Sequence, residues 1–308
     1  EGPTGSLSLL PRLEYDASER SQGSCGNCWA WAGTGCMEIA LDLQEDIHER
    51  LSVQYINSCQ YATIGKLCCQ GGWLQDVVDF YDIKGVCLPW SNDGAEWQDR
   101  DRSCDTPCDS VSTEPHYDVV SIEALTVPTH DNANEGARSN TEAIANVKAV
   151  LDAGYGVWFA FFTSSYGEWT QFTDFWLHDA ETSVCDLDSL CDGSSLGPAH
   201  AVLCVGYNDS VAEDYWLMLN SWGTAGGNRP NGTFRVAMNM DYNTTNAVPA
   251  FYWQTLDVEF SAPDPPVIST DFADAVEEDT AILFGTLVSD SGSAAECRFG
   301  YSLCGDDG

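Results

Sequence analysis

The stretch "SQGSCGNCWAWAGTGC", residues 21–36, holds three cysteines, and the second of them, Cys28, opens an apolar run, "CWAWAGTGCMEIALDL", that reads as a buried helix. A thiol on the first turn of a helix is well placed to ionise, because the unpaired N–H groups and the helix dipole favour negative charge there. A thiolate nucleophile needs a base beside it. His200, in "GPAHAVLCVGY", stands at the head of an apolar strand that would hold an imidazole rigidly. The imidazole in turn needs an acceptor to orient it, and Asn220, in "YWLMLNSWGT", ends another apolar strand. A Cys–His pair alone is weak in a chain with 14 cysteines and five histidines; order and local context make it stronger.

The contexts "QGSCGNCWA", "HAVLCVGY" and "NSWG", in that order, are similar to the signatures of the papain-like cysteine peptidases, and the resemblance covers roughly residues 11 to 257. It implies Cys28 as nucleophile, His200 as general base then acid, Asn220 as the group orienting the imidazole, and Gln22 as side-chain donor of an oxyanion hole, with the Cys28 backbone N–H as the second donor. Trp222 resembles the tryptophan that shields the Asn–His hydrogen bond from water. Gly71 and Gly72 resemble the glycine pair that hydrogen-bonds an extended substrate, where the lack of side chains permits close approach. Trp73, Leu74 and Ala201 fall where such enzymes line their main specificity pocket, which implies an apolar or aromatic residue at P2. Cys25 resembles a half-cystine whose implied partner is Cys69, and Cys59 is similarly matched to Cys104. Cys185 is paired here with Cys191, Cys297 with Cys304, and Cys68 with Cys108. Cys36 is most simply a packed core thiol, and the states of Cys36, Cys87 and Cys204 stay open.

The chain departs from the pattern in places. Asn27 stands where a small residue normally precedes the nucleophile, and "AGGNRPNG" after "NSWGT" lacks a second aromatic and adds residues. The Cys28 to His200 separation exceeds the roughly 130–150 residues expected, and much of the excess is assigned to the acidic stretch "HDAETSVCDLDSLCDGSS". No inhibitory segment is visible upstream, so the chain reads as a mature form.

The elements that must position these residues are a mostly helical first lobe and a mostly β second lobe. "LSVQYINSC" and "LQDVVDFYDI" have helical spacing; from about residue 115, "YDVVSIEALTV", "YGVWFAFF", "HAVLCVGY", "DYWLMLNSW", "GTFRVAM" and "FYWQTLDVEF" read as strands, with one helix at "NTEAIANVKAVLDAG". The expected fold class is α+β, a two-lobed papain-like fold. The peptidase domain is placed at 1–260, and 261–308 holds the Pro-rich linker "SAPDPP" and a short β-rich segment resembling part of a fibronectin type III-like module. Three strands, "VIST", "TAILFGTLV" and "ECRFGYSL", are too few to close such a sandwich.

With 308 residues, 44% apolar and 11% aromatic, the chain is long and apolar enough for a sizeable core. A net charge of −36 repels nucleic acid and anionic membranes and reads as a solvating surface. No apolar run reaches membrane-span length, so no membrane insertion is expected, and "EGPTGSLSLLPRLEY" has no signal-peptide pattern. The 14 cysteines point to an oxidising compartment, and the sequons at Asn208, Asn231 and Asn243 fit a secreted or cell-surface protein. The expected function is a secreted cysteine endopeptidase acting on peptides or proteins, with no cofactor and no metal. The alternative is a structural or surface-assembly protein on a peptidase fold, self-associating through its C-terminal segment.

Overall fold

The computed structural model describes residues 5–130, 138–195, 197–243 and 249–261, and the backbone of 267–274 and 282–289. In chain order the elements are β1 (Ser6–Ser8), α1 (Cys28–Glu45), α2 (Val53–Ile64), α3 (Leu74–Lys84), β2 (Val86–Cys87), β3 (Tyr117–Thr126), α4 (Asn140–Asp152), β4 (Val157–Phe162), α5 (Tyr166–His178), β5 (Val184–Cys185), β6 (Ala199–Asn208), β7 (Tyr215–Leu219), β8 (Thr233–Ala237), β9 (Phe251–Phe260), β10 (Val267–Asp274) and β11 (Ile282–Ser289). They divide into two compact units, Glu1–Ser261 and Ala262–Gly308.

Helix α1 is buried on every side from Trp29 to Leu41, as its unbroken apolar composition requires. Its two glycines set how closely its neighbours approach. A Cβ on Gly33 would lie 2.7 Å from Val77 of α3, and one on Gly35 would lie 2.6 Å from Leu203 of β6. Helix α2 starts at Ser52, whose side chain accepts from Tyr55 N, and stops at the left-handed Gly65. Helix α4 is fixed by a reciprocal cap between Ser139 and Glu142.

The second half of the first unit is built on a sheet in the order β2-β3-β9-β4-β6-β7-β8-β5, with β1 added against β6. Strand β4, "VWFAFF", lies antiparallel between β6 and β9, and all but its last residue are buried, which is why it shows no alternation of polar and apolar positions. The register sets Phe161 opposite His200 and Ala160 opposite Ala201. The mixed α+β architecture agrees with the sequence expectation; α5 does not. The sequence reading gives this half a single helix, "NTEAIANVKAVLDAG", and assigns no element to residues 166–178. They form a helix because Ser165 caps Gly167 N and because Trp169, Phe172, Phe175 and Trp176 recur at helical spacing.

Three disulfides close the helical part, and two differ from expectation. Cys25–Cys69 forms as the resemblance implied, but Cys59 pairs with Cys108 and Cys68 with Cys104, instead of Cys59 with Cys104 and Cys68 with Cys108. The chain turns back through left-handed residues at Arg102 and Cys104, which carries Cys104 to within 6.1 Å (Cα–Cα) of Cys68. The following segment then lies along α2, where Ser58 Oγ donates to Thr106 O at 2.8 Å, and delivers Cys108 to Cys59. Cys185 and Cys191 are buried and unbonded, contrary to the expected pair. The first is fixed in β5 against β8, while the second is held in a turn by its N–H to Leu187 O. Cys36, Cys87 and Cys204 are buried free thiols. In the second unit β10 and β11 pair antiparallel, Val267 with Ser289 through Asp274 with Ile282. The expected strand "ECRFGYSL" and the Cys297–Cys304 pair lie outside the described residues. Among the described residues no helix is long and apolar enough to cross a membrane.

Candidate active site

Cys28 is the first residue of α1, so its sulfur sits at the helix end where N–H groups have no intrahelical acceptor. The N–H groups of Ala201, Trp29 and Cys28 itself favour the thiolate, while burial, the larger influence, pushes the thiol up. The involvement of Ala201 is geometric: the second and third residues of β6 bring the His200–Ala201 backbone to the nucleophile. Cys28 is half-buried, the one free cysteine of the described residues that is not fully enclosed.

His200 is 3% exposed and Asn220, just past the end of β7, is 1% exposed. His200 Nε2 and Asn220 Oδ1 are 2.7 Å apart. Asn220 Oδ1 also accepts from Ser221 N at 2.8 Å, which identifies that atom as the oxygen, so Nε2 must carry the proton and donate. Nδ1 is therefore the ring nitrogen left for a reacting group. Burial lowers the imidazole to about 4, partly offset by the bond to Asn220. Trp222 covers the ring, with centroids 4.3 Å apart and planes 28° from parallel.

Gln22 is positioned by a local zipper. Ser21 bridges Trp222, Gln22 N donates to Ser221 O at 2.7 Å, and Gly223 N donates to Arg20 O at 3.0 Å. The Gln22 side chain is oriented at both ends: Oε1 accepts from Ser221 Oγ at 2.6 Å and Nε2 donates to Cys25 O at 2.7 Å. That bond uses one of two amide hydrogens and leaves the other for the cleft.

A cavity of about 550 Å³ joins these groups, lined among others by Gln22, Cys28, Gly71, Gly72, Trp73, His200, Ala201 and Trp222. The Cys25–Cys69 bond ties the nucleophile segment to the glycine segment, and Trp29 Nε1 donates to Gln70 O at 3.0 Å. At Gly72 a Cβ would come within 2.7 Å of the Trp29 ring, so the position excludes a side chain. Trp73, 42% exposed, leans on Tyr252, Phe162 and Trp158 with ring centroids 5.1, 5.8 and 6.4 Å away. Leu74 does not line the cleft: it is fully buried and packs toward Gly33 of α1, because it begins α3 and faces inward.

Asn27 is buried at 1% exposure, and among the described residues neither atom of its amide finds a partner. Aromatic side chains of α5 pack against Trp222, a contribution that sequence reading missed. Trp169 and Trp176 meet Trp222 edge-on at 5.7 and 6.0 Å. The signal was present in the Ser165 to Glu168 spacing of a helix start. Arg229, from the added "AGGNRPNG" stretch, is completely buried and donates to Phe175 O at 2.7 Å and Trp176 O at 3.1 Å, fastening the last turn of α5. Of the sequons, Asn231 is exposed with Nδ2 donating to Glu181 at 2.9 Å; Asn208 and Asn243 are half-buried.

Comparison with known proteins agrees with this geometry. The profile of the papain family cysteine proteases matches residues 16–251. Digestive cysteine proteinase 3 of Homarus americanus is 26% identical over 226 residues, covering 73% of this chain and 59% of that protein. Cathepsin S of Bos taurus is 27% identical over 222 residues, covering 71% and 55%. The chain thus spans less than two thirds of the length of the curated relatives it matches. Among solved structures, bromelain from Ananas comosus in complex with the E64 inhibitor superposes with a TM-score of 0.54 at 20% identity, covering 83% of this chain and 100% of that one. A digestive procathepsin L 3 from Tenebrio molitor gives 0.55 at 21%, covering 82% and 71%. A profile match running through all the motifs, over a fold these structures share, makes the chain a member of the papain family of cysteine proteases.

Proposed function

We propose that this chain is an endopeptidase that cuts peptide bonds through a thioester on Cys28. The observation that carries the reading is the His200 Nε2 to Asn220 Oδ1 bond, which frees Nδ1 within the cleft that also contains Cys28. In this reading Nδ1 takes the thiol proton, and the Cys28 thiolate adds to the scissile carbonyl carbon. The resulting oxyanion is held by the second Gln22 Nε2 hydrogen and the Cys28 N–H. His200 returns the proton to the leaving nitrogen as the C–N bond breaks, giving amine and thioester. Water, deprotonated by His200, then adds to the thioester, and the C–S bond breaks to release acid and thiol.

Gly71 and Gly72 would pair with the extended substrate backbone, and the apolar wall of Trp73, Ala201, Trp158 and Phe162 supports an apolar or aromatic P2 residue. A secreted or cell-surface location is supported by three disulfides and the sequons at Asn208, Asn231 and Asn243. The fibronectin type III-like reading of 261–308 and self-association through that segment have as support the antiparallel β10–β11 pair, since two strands alone are marginal without further pairing.

The test is Cys28→Ala together with labelling by a peptidyl epoxide. Hydrolysis of a peptidyl aminocoumarin should vanish in the variant with its melting temperature kept, and the wild-type label should map to Cys28. Unchanged turnover in Cys28→Ala ends the reading.

A further inference from the structure

Asp99 opens the single 3₁₀ turn Asp99–Asp101 and is 1% exposed. Two side-chain amides of α2 meet one of its oxygens: Gln54 Nε2 and Asn57 Nδ2 each donate to Asp99 Oδ2 at 2.7 Å. Both amides are buried, and Gln54 Oε1 also accepts from Gln98 N at 2.9 Å, so α2 grips the turn at two successive residues. From this carboxylate the bonding runs to two segments of the catalytic cleft. On one side Asn57 Oδ1 accepts from Cys69 N at 2.9 Å, two residues before Gly71 and Gly72. On the other, the next carbonyl along the turn, Arg100 O, accepts from Ser24 N at 2.7 Å, within residues 22–26, all of which line the cleft. Gly23, at φ 63°, admits that carbonyl, since a Cβ there would lie 2.1 Å from Arg100 O.

We propose that Asp99 is a positioning residue that fixes the spacing between these two walls of the cleft, one bearing Gln22 and the other Gly71 and Gly72. The inference rests on the peptidase reading, which gives the first wall the oxyanion and the second the substrate backbone. A carboxylate only accepts, so Asn57 must turn its Nδ2 toward Asp99, and its Oδ1 is left for Cys69 N. Without that acceptor both buried amides would have lost water for nothing, which holds the network in one arrangement. The Cys25–Cys69 disulfide joins the two walls at one point; the Asp99 bonds attach them at two more, through Ser24 and through the Cys69 backbone. Misplacing a reacting group by about 1 Å costs about 10²-fold in rate. A carboxylate that does not itself line the cleft therefore acts on turnover through the walls it holds.

The experiment measures kcat and KM on a peptidyl aminocoumarin, per active site counted with a peptidyl epoxide, so that unfolded protein drops out of the comparison. Asp99→Leu, close in size but with no acceptor, should lower kcat by about tenfold or more and raise KM. Asp99→Asn, which keeps one carbonyl oxygen for both amides, should recover most of the loss. Asn57→Val cuts only the link to Cys69 and should raise KM by about fivefold while kcat stays close to wild type. It provides the same decision if Asp99→Leu does not fold. Wild-type kcat and KM per counted site in Asp99→Leu, however much its melting temperature falls, would make the network merely structural and overturn the inference. So would an Asp99→Asn as impaired as Asp99→Leu, or an Asn57→Val with unchanged KM. A wild-type chain that hydrolyses no peptide overturns the peptidase reading and the inference with it.

Discussion

Trp222 stacks on His200 at 4.3 Å while the same imidazole donates to Asn220 from a site only 3% exposed. The indole therefore covers the hydrogen bond that sets the tautomer, and water cannot compete for Asn220 Oδ1. Trp222→Ala should admit water and lower kcat on a peptidyl aminocoumarin by about tenfold, the equivalent of one net hydrogen bond. Trp222→Phe should recover most of it. Steady-state kinetics on the two variants checks this; equal kcat in all three proteins would remove shielding as a contribution.

Gln22 has both a structural and a proposed chemical bond, and these separate by magnitude. Gln22→Ala should cost about 10² to 10³ in kcat if its second amide hydrogen meets the oxyanion. The lost bonds to Cys25 O and Ser221 Oγ should lower stability by only about 1 kcal/mol each. Kinetics and melting on the same preparation decide: activity and stability falling in step would point to a scaffold role.

Glu38 is buried in α1, its Oε1 accepting from Leu51 N and its Oε2 lying 3.9 Å from Arg20 Nη1. Burial raises the carboxyl to about 7 against the opposing pull of Arg20. Its contribution to stability is fully present below about 4.5, falls as the unfolded chain ionises first, and is gone once pH passes about 7, a change on the order of 3 kcal/mol. His200, lowered to about 4, acts oppositely: its contribution is present above 6.5 and lost as pH falls through about 4. The two slopes oppose each other between about 4.5 and 6.5. Glu38→Gln, which keeps an acceptor for Leu51, should leave a stability that rises with pH across that window. Denaturant titrations at several pH values measure it, and a pH slope identical to wild type would contradict the raised carboxyl.

Arg229 meets carbonyl oxygens of Trp176, Phe175 and Thr233 with no exposed surface, and its guanidinium lies 4.6 Å from the Phe175 ring centre. Arg229→Ala leaves those acceptors without the donor and opens a cavity, for an expected loss of about 3–5 kcal/mol. Lysine, a point charge without the planar fork, should restore less than half. Chemical denaturation is the measurement, and a loss under about 1 kcal/mol would show that α5 does not depend on this clamp.

The net charge of −36 sets 48 acidic residues against 12 basic ones. Most of this charge finds no opposite partner, so added salt should raise the melting temperature at neutral pH by screening self-repulsion. A melting temperature flat from low to molar salt would count against this.

The sequence by itself picked out the proposed catalytic residues, through motifs that resemble a known family, and placed them on their elements. Cys28 had to begin a helix because the run after it is apolar on every face, and His200 and Asn220 had to stand at strand ends because "HAVLCVGY" and "YWLML" are too short and too apolar for exposed helices. These are local patterns, and local patterns survive without knowledge of what packs on them. The tertiary structure decided the rest. Aromatic composition in residues 166–178 suits either strand or helix, and docking of Trp169, Phe172 and Trp176 around Trp222 together with the Arg229 clamp selects the helix. Leu74 follows Trp73 by one position, yet the start of α3 turns one toward the cleft and the other into the core. The partners of Cys59 and Cys68 depend on two left-handed turns between Asp99 and Cys108, because spacing counts residues while a disulfide needs sulfurs brought together in space.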